Sequence, residues 1–459
     1  MMNDVAGLVP GNALRVGATR TGVEPGDRAP APQAQQQRWR SRRLPKLLLL
    51  GALGLWLPTA WSETVEGLLQ EVLRTHPAVQ SRQASVRSRQ ASVESANWQF
   101  YPTPSISSER VSHADNDPNY IGDATVTTLR LQQPLWNAGR LDAQSSKARA
   151  DQVAAEHGVT ESQDQLAFDF VGAYGEWLSA SMKYKAASES NQTLQALNEK
   201  MARRVEQNVS AQIDQELSLS RLRQQAADLV QYRAQELTAL SRLSRMLGRD
   251  ISSAYMNSVV VRQAEVPALD AAVERAQARS PVLARMRAEA QSVLEEIEAR
   301  SAAKYPELYL RLERQYGNSG WKGAQPTNRI FVGVQLSTGA GLSLQSDLAA
   351  INARQDAQLA DMTGAERALG DQVRSELVSL ASLKERLEQI ETTLKAALSV
   401  QQSYDRQFFA GRRSWLDLMN AERERSQVQL QMADLKAGLA ASAYRIAILT
   451  QGALAVSGR

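Results

Sequence analysis

The sequence predicts a mainly α chain with a membrane β-barrel contribution, built as two tandem repeats of helix, two strands and long helical hairpin. Three observations carry this reading. Aromatic residues make up only 5% of the 459 residues, and Ala, Gln, Glu, Arg, Leu and Ser dominate the later two thirds. That bias favours long helices over a compact globular core. The chain also repeats itself at a spacing of about 203 residues, and in each copy a pair of alternating stretches interrupts the helical pattern.

The first segment, residues 1–62, reads as an N-terminal extension followed by a cleaved signal peptide. Arg38, Arg40, Arg42, Arg43 and Lys46 precede the apolar run Leu47 to Leu57, and Ala60-Trp61-Ser62 places small residues before a cleavage site at Glu63. The run is short of the roughly 20 residues a spanning helix needs. Residues 1–37 are either a disordered extension or a misassigned start. This leader holds eight Lys+Arg and three Asp+Glu of the chain's 53 and 49, leaving 45 and 46 beyond it. The basic balance is therefore a leader effect and gives no argument for nucleic-acid binding. With no cysteine, the chain has no disulfide, thiolate metal site, cysteine nucleophile or acylated lipoprotein anchor.

Four landmarks define the duplication. "THPAVQSRQASVRSRQASVESANWQFYPTPSIS" from Thr75 is partnered by "RSPVLARMRAEAQSVLEEIEARSAAKYPELYLR" from Arg279, with Pro77 and Pro281, and Tyr101 and Tyr305, each 204 apart. "QPLWNAGRL" from Gln133 matches "QLSTGAGLS" from Gln335, setting Gly139 against Gly341, and "NVSAQID" from Asn208 matches "GRRSWLD" from Gly411. Two repeats follow, 63–265 and 266–459.

Each repeat opens with a helix, broken at His76-Pro77 or Ser280-Pro281 and stopped by proline after Tyr101 or Tyr305. Strands are expected at about 104–112 and 124–134, then 306–316 and 328–338. In the second repeat Leu308, Leu310 and Leu312 oppose Tyr309, Arg311 and Glu313, while Ile330, Val332, Val334 and Leu336 oppose Phe331, Gly333 and Gln335. Nine to eleven alternating residues suit a tilted strand crossing a bilayer. A soluble hairpin gives the same alternation, so this pattern leaves both open. Helical hairpins follow at 138–248 and 341–450, with long limbs on the order of 100 Å. Leu380, Leu383, Leu387, Ile390, Leu394 and Leu398 form a coiled-coil seam along the second.

Four strands cannot close in lipid without unpaired edges, so the reading requires an oligomer. A trimer would supply twelve strands and twelve helical limbs.

The signal peptide, the duplicated order of elements, the "HP" break, the "YP" before each strand pair and "QPLWNAGRL" together resemble the TolC family of outer-membrane channel proteins. The resemblance covers nearly all of residues 63–450. It implies a homotrimeric α/β-barrel duct with four strands per chain, embedded in outer-membrane lipid and extending into the periplasm. There it would dock on a periplasmic adaptor (membrane fusion protein) and an inner-membrane ABC transporter. The missing lipobox cysteine points toward type I secretion of an exported protein, in the manner of the LapE and agglutination-protein type that serves giant adhesins. Multidrug efflux is the alternative, and a soluble periplasmic coiled-coil adaptor or scaffold is the different-class alternative.

The hairpin tips carry the candidate site. Gly411 and Asn208 are suited to the positive φ of a tight turn. Asp214 and Asp417 open the return helices, where helix capping alone would account for an acid. By the resemblance, Asp214 and Asp417 fall on the acidic ring of the periplasmic gate and Arg413 on its latch. Asn420 stands where the family pattern has an aspartate and Phe408 where it has a tyrosine. Arg412 and Trp415, beside Asn208 and Gly411, are adaptor-contact candidates, with loop solvation and interhelical packing as the plainer accounts. His76, His113 and His157 lack ligand spacing. No catalytic motif, cofactor site or metal site is expected, and no nucleic-acid partner.

Overall fold

The computed structural model describes residues 64–111, 121–257, 268–323, 325–340 and 343–458. The leader and its cleavage site, His113 and Gly341 lie outside them. The elements run α1 (Val65–Thr75), α2 (Pro77–Trp98), β1 (Thr103–Arg110), β2 (Thr125–Trp136), α3 (Arg140–Glu206), α4 (Gln212–Leu247) and the short α5 (Ser253–Asn257). The same order then recurs as α6 (Leu269–Arg279), α7 (Pro281–Ser301), β3 (Glu307–Tyr316), β4 (Thr327–Gln335), α8 (Leu344–Phe409) and α9 (Trp415–Gln451), closed by α10 (Ala453–Ser457).

Local chemistry explains the boundaries. His76 (ψ 132°) and Ser280 (ψ 117°) leave the helical region just before a proline at the next helix start, as the pre-proline clash requires. The His76 ring Nδ1 and the Ser280 hydroxyl then cap α2 and α7, accepting from the backbone N–H of Ala78 and Leu283. Histidine here is a capping residue. The long limbs α3 and α8 have 67 and 66 residues, on the order of 100 Å.

The strands pair antiparallel in the order β1-β2-β3-β4. Ile106 faces Leu129, Leu131 faces Leu312, and Leu310 faces Val332. One face is therefore apolar, and Ile106, Ile330, Val332 and Val334 on it are strongly exposed. Proline does not end β2 at residue 134. A bulge between Pro134 and Trp136 carries pairing two residues further, because a bulge tolerates the missing N–H. Among the described residues of the β2–α3 and β4–α8 turns, Gly139 and Gly339 take positive φ; the sequence match of Gly139 with Gly341 lies outside the described residues.

The long limbs carry the helical architecture. Near the sheet, α2, α3, α7 and α8 lie side by side, and further down the order is α4, α3, α9, α8. Among the described residues, each layer thus has four elements and two open flanks, as does the sheet. At the waist, Val65, Leu68, Leu69 and Val72 of α1, at helical spacing, pack on Phe170, Tyr174 and Trp177 of α3, Leu243 of α4 and Ile448 of α9. On α8, the expected seam is the inward side: Leu380 is buried and Leu383, Leu387, Ile390, Leu394 and Leu398 are half-buried. Among the described residues no helix is long and apolar enough to cross a membrane.

Candidate functional site

The two hairpin tips fold alike despite unlike sequences. At the first, Asn208 takes φ 56°, and Val209 N–H donates to Arg204 O at 2.8 Å. At the second, Gly411 takes φ 73°, and Arg412 N–H donates to Gln407 O at 2.8 Å. Both are left-handed helix ends with the longer of the two closing hydrogen bonds in place. The backbone demand is the same, and glycine and asparagine are the residues that meet it most easily.

Beyond the turns the tips diverge. Ser414 caps α9, its hydroxyl accepting from Asp417 N–H at 3.1 Å, so the Asp417 carboxylate is not needed as the cap. That carboxylate lies 3.8 Å from the Arg413 guanidinium. Arg413 also sits 4.6 Å from the Tyr404 ring centroid and donates to Gln407 Oε1 at 3.3 Å. At the first tip the cap position is Ala211, which offers no side-chain acceptor. Asp214 carries the only acid of that first turn and makes no ion pair or side-chain hydrogen bond among the described residues. Asn420 and Arg412 are exposed.

Phe408 and Trp415 are elsewhere. They are 7% and 2% exposed, with ring centroids 4.9 Å apart, packed with Leu194, Leu197 and Met201 of α3 and with Leu418 and Met419. Their rings fill the space between α3 and the second hairpin, which is the packing account of Trp415. Both rings are enclosed within this one chain. Exposed apolar side chains at the tips are instead Val209, Ile213 and Leu416.

Sequence reasoning missed the residue that joins the tips. Arg204, near the end of α3, donates to Ser210 Oγ at 3.0 Å within the first turn and lies 5.1 Å from the Phe408 ring centroid of the second. Lys200 lies 5.0 Å from the Phe409 ring centroid. Cations on the last turns of one long limb, opposite an aromatic pair at the end of the other, were the available signal. Also missed was a buried ion pair above the tips. Glu422, 1% exposed, accepts from Arg425 Nε at 2.9 Å and from Ser190 Oγ of α3 at 3.0 Å.

The sequence matches the family described as outer membrane efflux protein over residues 68–249 and 272–450. No curated protein matches it significantly. The structure is similar to solved channels. CusC gives a TM-score of 0.72 at 15% identity, covering 87% of this chain and 96% of that one. VceC of Vibrio cholerae gives 0.71 at 16%, covering 84% and 96%. CmeC of Campylobacter jejuni gives 0.70 at 13%, covering 90% and 94%. At such identities the likeness is one of fold.

Proposed function

The chain belongs to the outer membrane efflux protein family, and from that membership we propose that it forms the trans-periplasmic duct of a tripartite exporter for type I secretion. Members of the family are channel proteins of the outer membrane that extend into the periplasm, and TolC-like channels are trimers working with adaptors and inner-membrane transporters. The observation that carries the duct is the shared set of open flanks. Among the described residues, the four-stranded sheet and the helical layers below it all end in unpartnered edges on both sides. The helical flanks expose Val230 and Leu237 on α4 and Leu359, Val378 and Val400 on α8. Closing the sheet edges between copies satisfies the backbone in lipid, and the same closure covers those apolar side chains.

In this reading the sheet's apolar face meets lipid, and exposed Trp98, Tyr101, Trp136 and Tyr305 lie where chains leave the bilayer, the height that suits amphipathic rings. The tips close the far end. Asp214, repeated once per copy, makes an acidic ring, and Arg413 latches the second tip through Asp417 and Tyr404. Asn208, Gly411 and Arg412, with Val209 and Leu416 beside them, receive the adaptor, and Trp415 supports that surface from beneath.

Protein cargo is favoured by the tip itself. Asn420 brings no charge, and Phe408 is buried. Fewer groups hold the closed state together, which lowers the barrier to a wide opening. The family's description favours small-molecule efflux as the second reading. Deleting the gene and comparing secreted proteins with drug tolerance separates the two. Loss of a surface or secreted protein with unchanged tolerance supports type I secretion; hypersensitivity with an unchanged secretome overturns it in favour of efflux.

A further inference from the structure

The polar face of the sheet is not evenly polar. Two adjacent cross-strand rungs carry most of its charge. Ser105, Arg130, Glu313 and Arg329 form one rung, and Thr103, Gln132, Arg311 and Phe331 form the next. Glu313 is the only acid in the pair of rungs and is shared. Arg130 Nε donates to its Oε1 at 2.8 Å, and Arg311 Nε lies 3.1 Å from the same oxygen. Arg329, the cross-strand partner of Glu313, makes no ion pair among the described residues and is exposed.

Aromatic packing fixes this arrangement. The Arg311 guanidinium lies 4.7 Å from the Phe331 ring centroid and 5.7 Å from that of Tyr309. The Tyr309 ring in turn lies across Gly333, where any Cβ would collide with its Cζ and hydroxyl. Arg311 is therefore held beside the rung of Glu313 and kept from folding away. Three guanidinium groups and one carboxylate per chain leave the two rungs with a net positive charge.

Other acids on this face are too distant to cancel it. Glu109 is four residues above Ser105, and Glu307 is four residues below Arg311 and is engaged by Arg140 at 2.9 Å. Four residues of strand span about 13 Å, beyond the Debye length of about 8–10 Å at physiological salt.

We propose that Arg130, Arg311 and Arg329 form a basic belt inside the barrel, making the outer-membrane part of the duct prefer anionic solutes and acidic segments of cargo over cationic ones. The belt rests on the trimeric channel reading, since the polar face becomes a lumen only when copies close around it. Three-fold repetition turns each arginine into a ring, and rings of like charge set ion preference in water-filled pores. The belt and the acidic tips stand at opposite ends of the molecule, so the barrel's preference is read by altering the belt alone.

The test is the reversal potential of the full-length protein in planar bilayers under a KCl gradient. Arg311→Gln and Arg329→Gln are each expected to lower the chloride-to-potassium permeability ratio, by about two- to five-fold for three charges lining one aqueous pore. Glu313→Gln is expected to raise it. Arg314→Gln, on the opposite, lipid-directed face, is expected to leave it unchanged. Should Arg311→Gln fail to assemble, Arg329→Gln still decides, having no ion pair to lose. Channels of parental conductance whose ratio does not move in Arg329→Gln overturn the belt and leave the duct standing. A parent preparation that forms no channels overturns both, and the two failures are told apart by the parent trace alone.

Discussion

At the scale of single residues, the proposed gate and the waist give separate predictions. Arg413→Glu places a carboxylate beside Asp417, and Asp214→Ala removes the one acid of the first tip's turn. Each is expected to loosen closure and raise single-channel conductance in planar bilayers. Unchanged conductance in both variants would return these side chains to loop solvation and helix-dipole stabilisation. At the waist, burial and then the charge of Glu66 push the Tyr174 hydroxyl up to about 12 from its ordinary 10.0. The folded pKa lies above the unfolded one, so the folded form holds its proton longer. The contribution is complete below pH 10 and is lost as pH rises toward 12. Two units correspond to about 2.7 kcal/mol at most. Tyr174→Phe is expected to flatten the fall in the detergent-solubilised protein's melting temperature across that window, and an equally steep fall in the variant would contradict the assignment. Such residue-level facts were partly legible. Spacing and turn chemistry located Asn208, Gly411 and Asp417, but nothing local in the sequence says that Phe408 and Trp415 point inward. Their burial depends on α3, which lies some two hundred residues earlier in the chain.

At the scale of elements, the two tips differ in how well their residues suit the turn. Gly411→Ala puts a Cβ at φ 73° and is expected to destabilise by about 1–2 kcal/mol. Asn208→Gly, at φ 56°, is expected to be neutral or mildly stabilising. Thermal melts of the purified protein compare them, and equal losses would mean that the two turns are not equivalent. Above the tips, Glu422→Ala leaves Arg425 buried without its ion-pair partner, only the Gln429 amide oxygen at 3.2 Å remaining, and is expected to cost about 3–5 kcal/mol. Replacing both by Leu or Met is expected to restore most of it, as a lower melt for the double variant than for the single would refute. Element type and order could be read in advance, because period-two and period-3.6 patterns are local and occur twice. The continuation of β2 through Pro134 could not. Proline argues for a strand end, and only pairing with β3 reveals the bulge.

At the scale of the whole molecule, one chain is an incomplete object. Its sheet and helical layers end on the same sides, so a single closure would satisfy all of them. The need for partners was legible from four strands with an apolar face, since open edges are not tolerated in lipid. The lateral order α4-α3-α9-α8 was not, because it depends on how the second hairpin packs against the first. The closure itself can be measured in a chain with no native cysteine. Ile106→Cys on edge strand β1 is combined in turn with Ile330→Cys, Val332→Cys and Val334→Cys on edge strand β4, and each pair is oxidised in isolated outer membranes. Closure of three copies predicts that at least one pair gives a ladder of cross-linked chains that stops at three. No cross-link from any pair, or a ladder that continues past three, would contradict it.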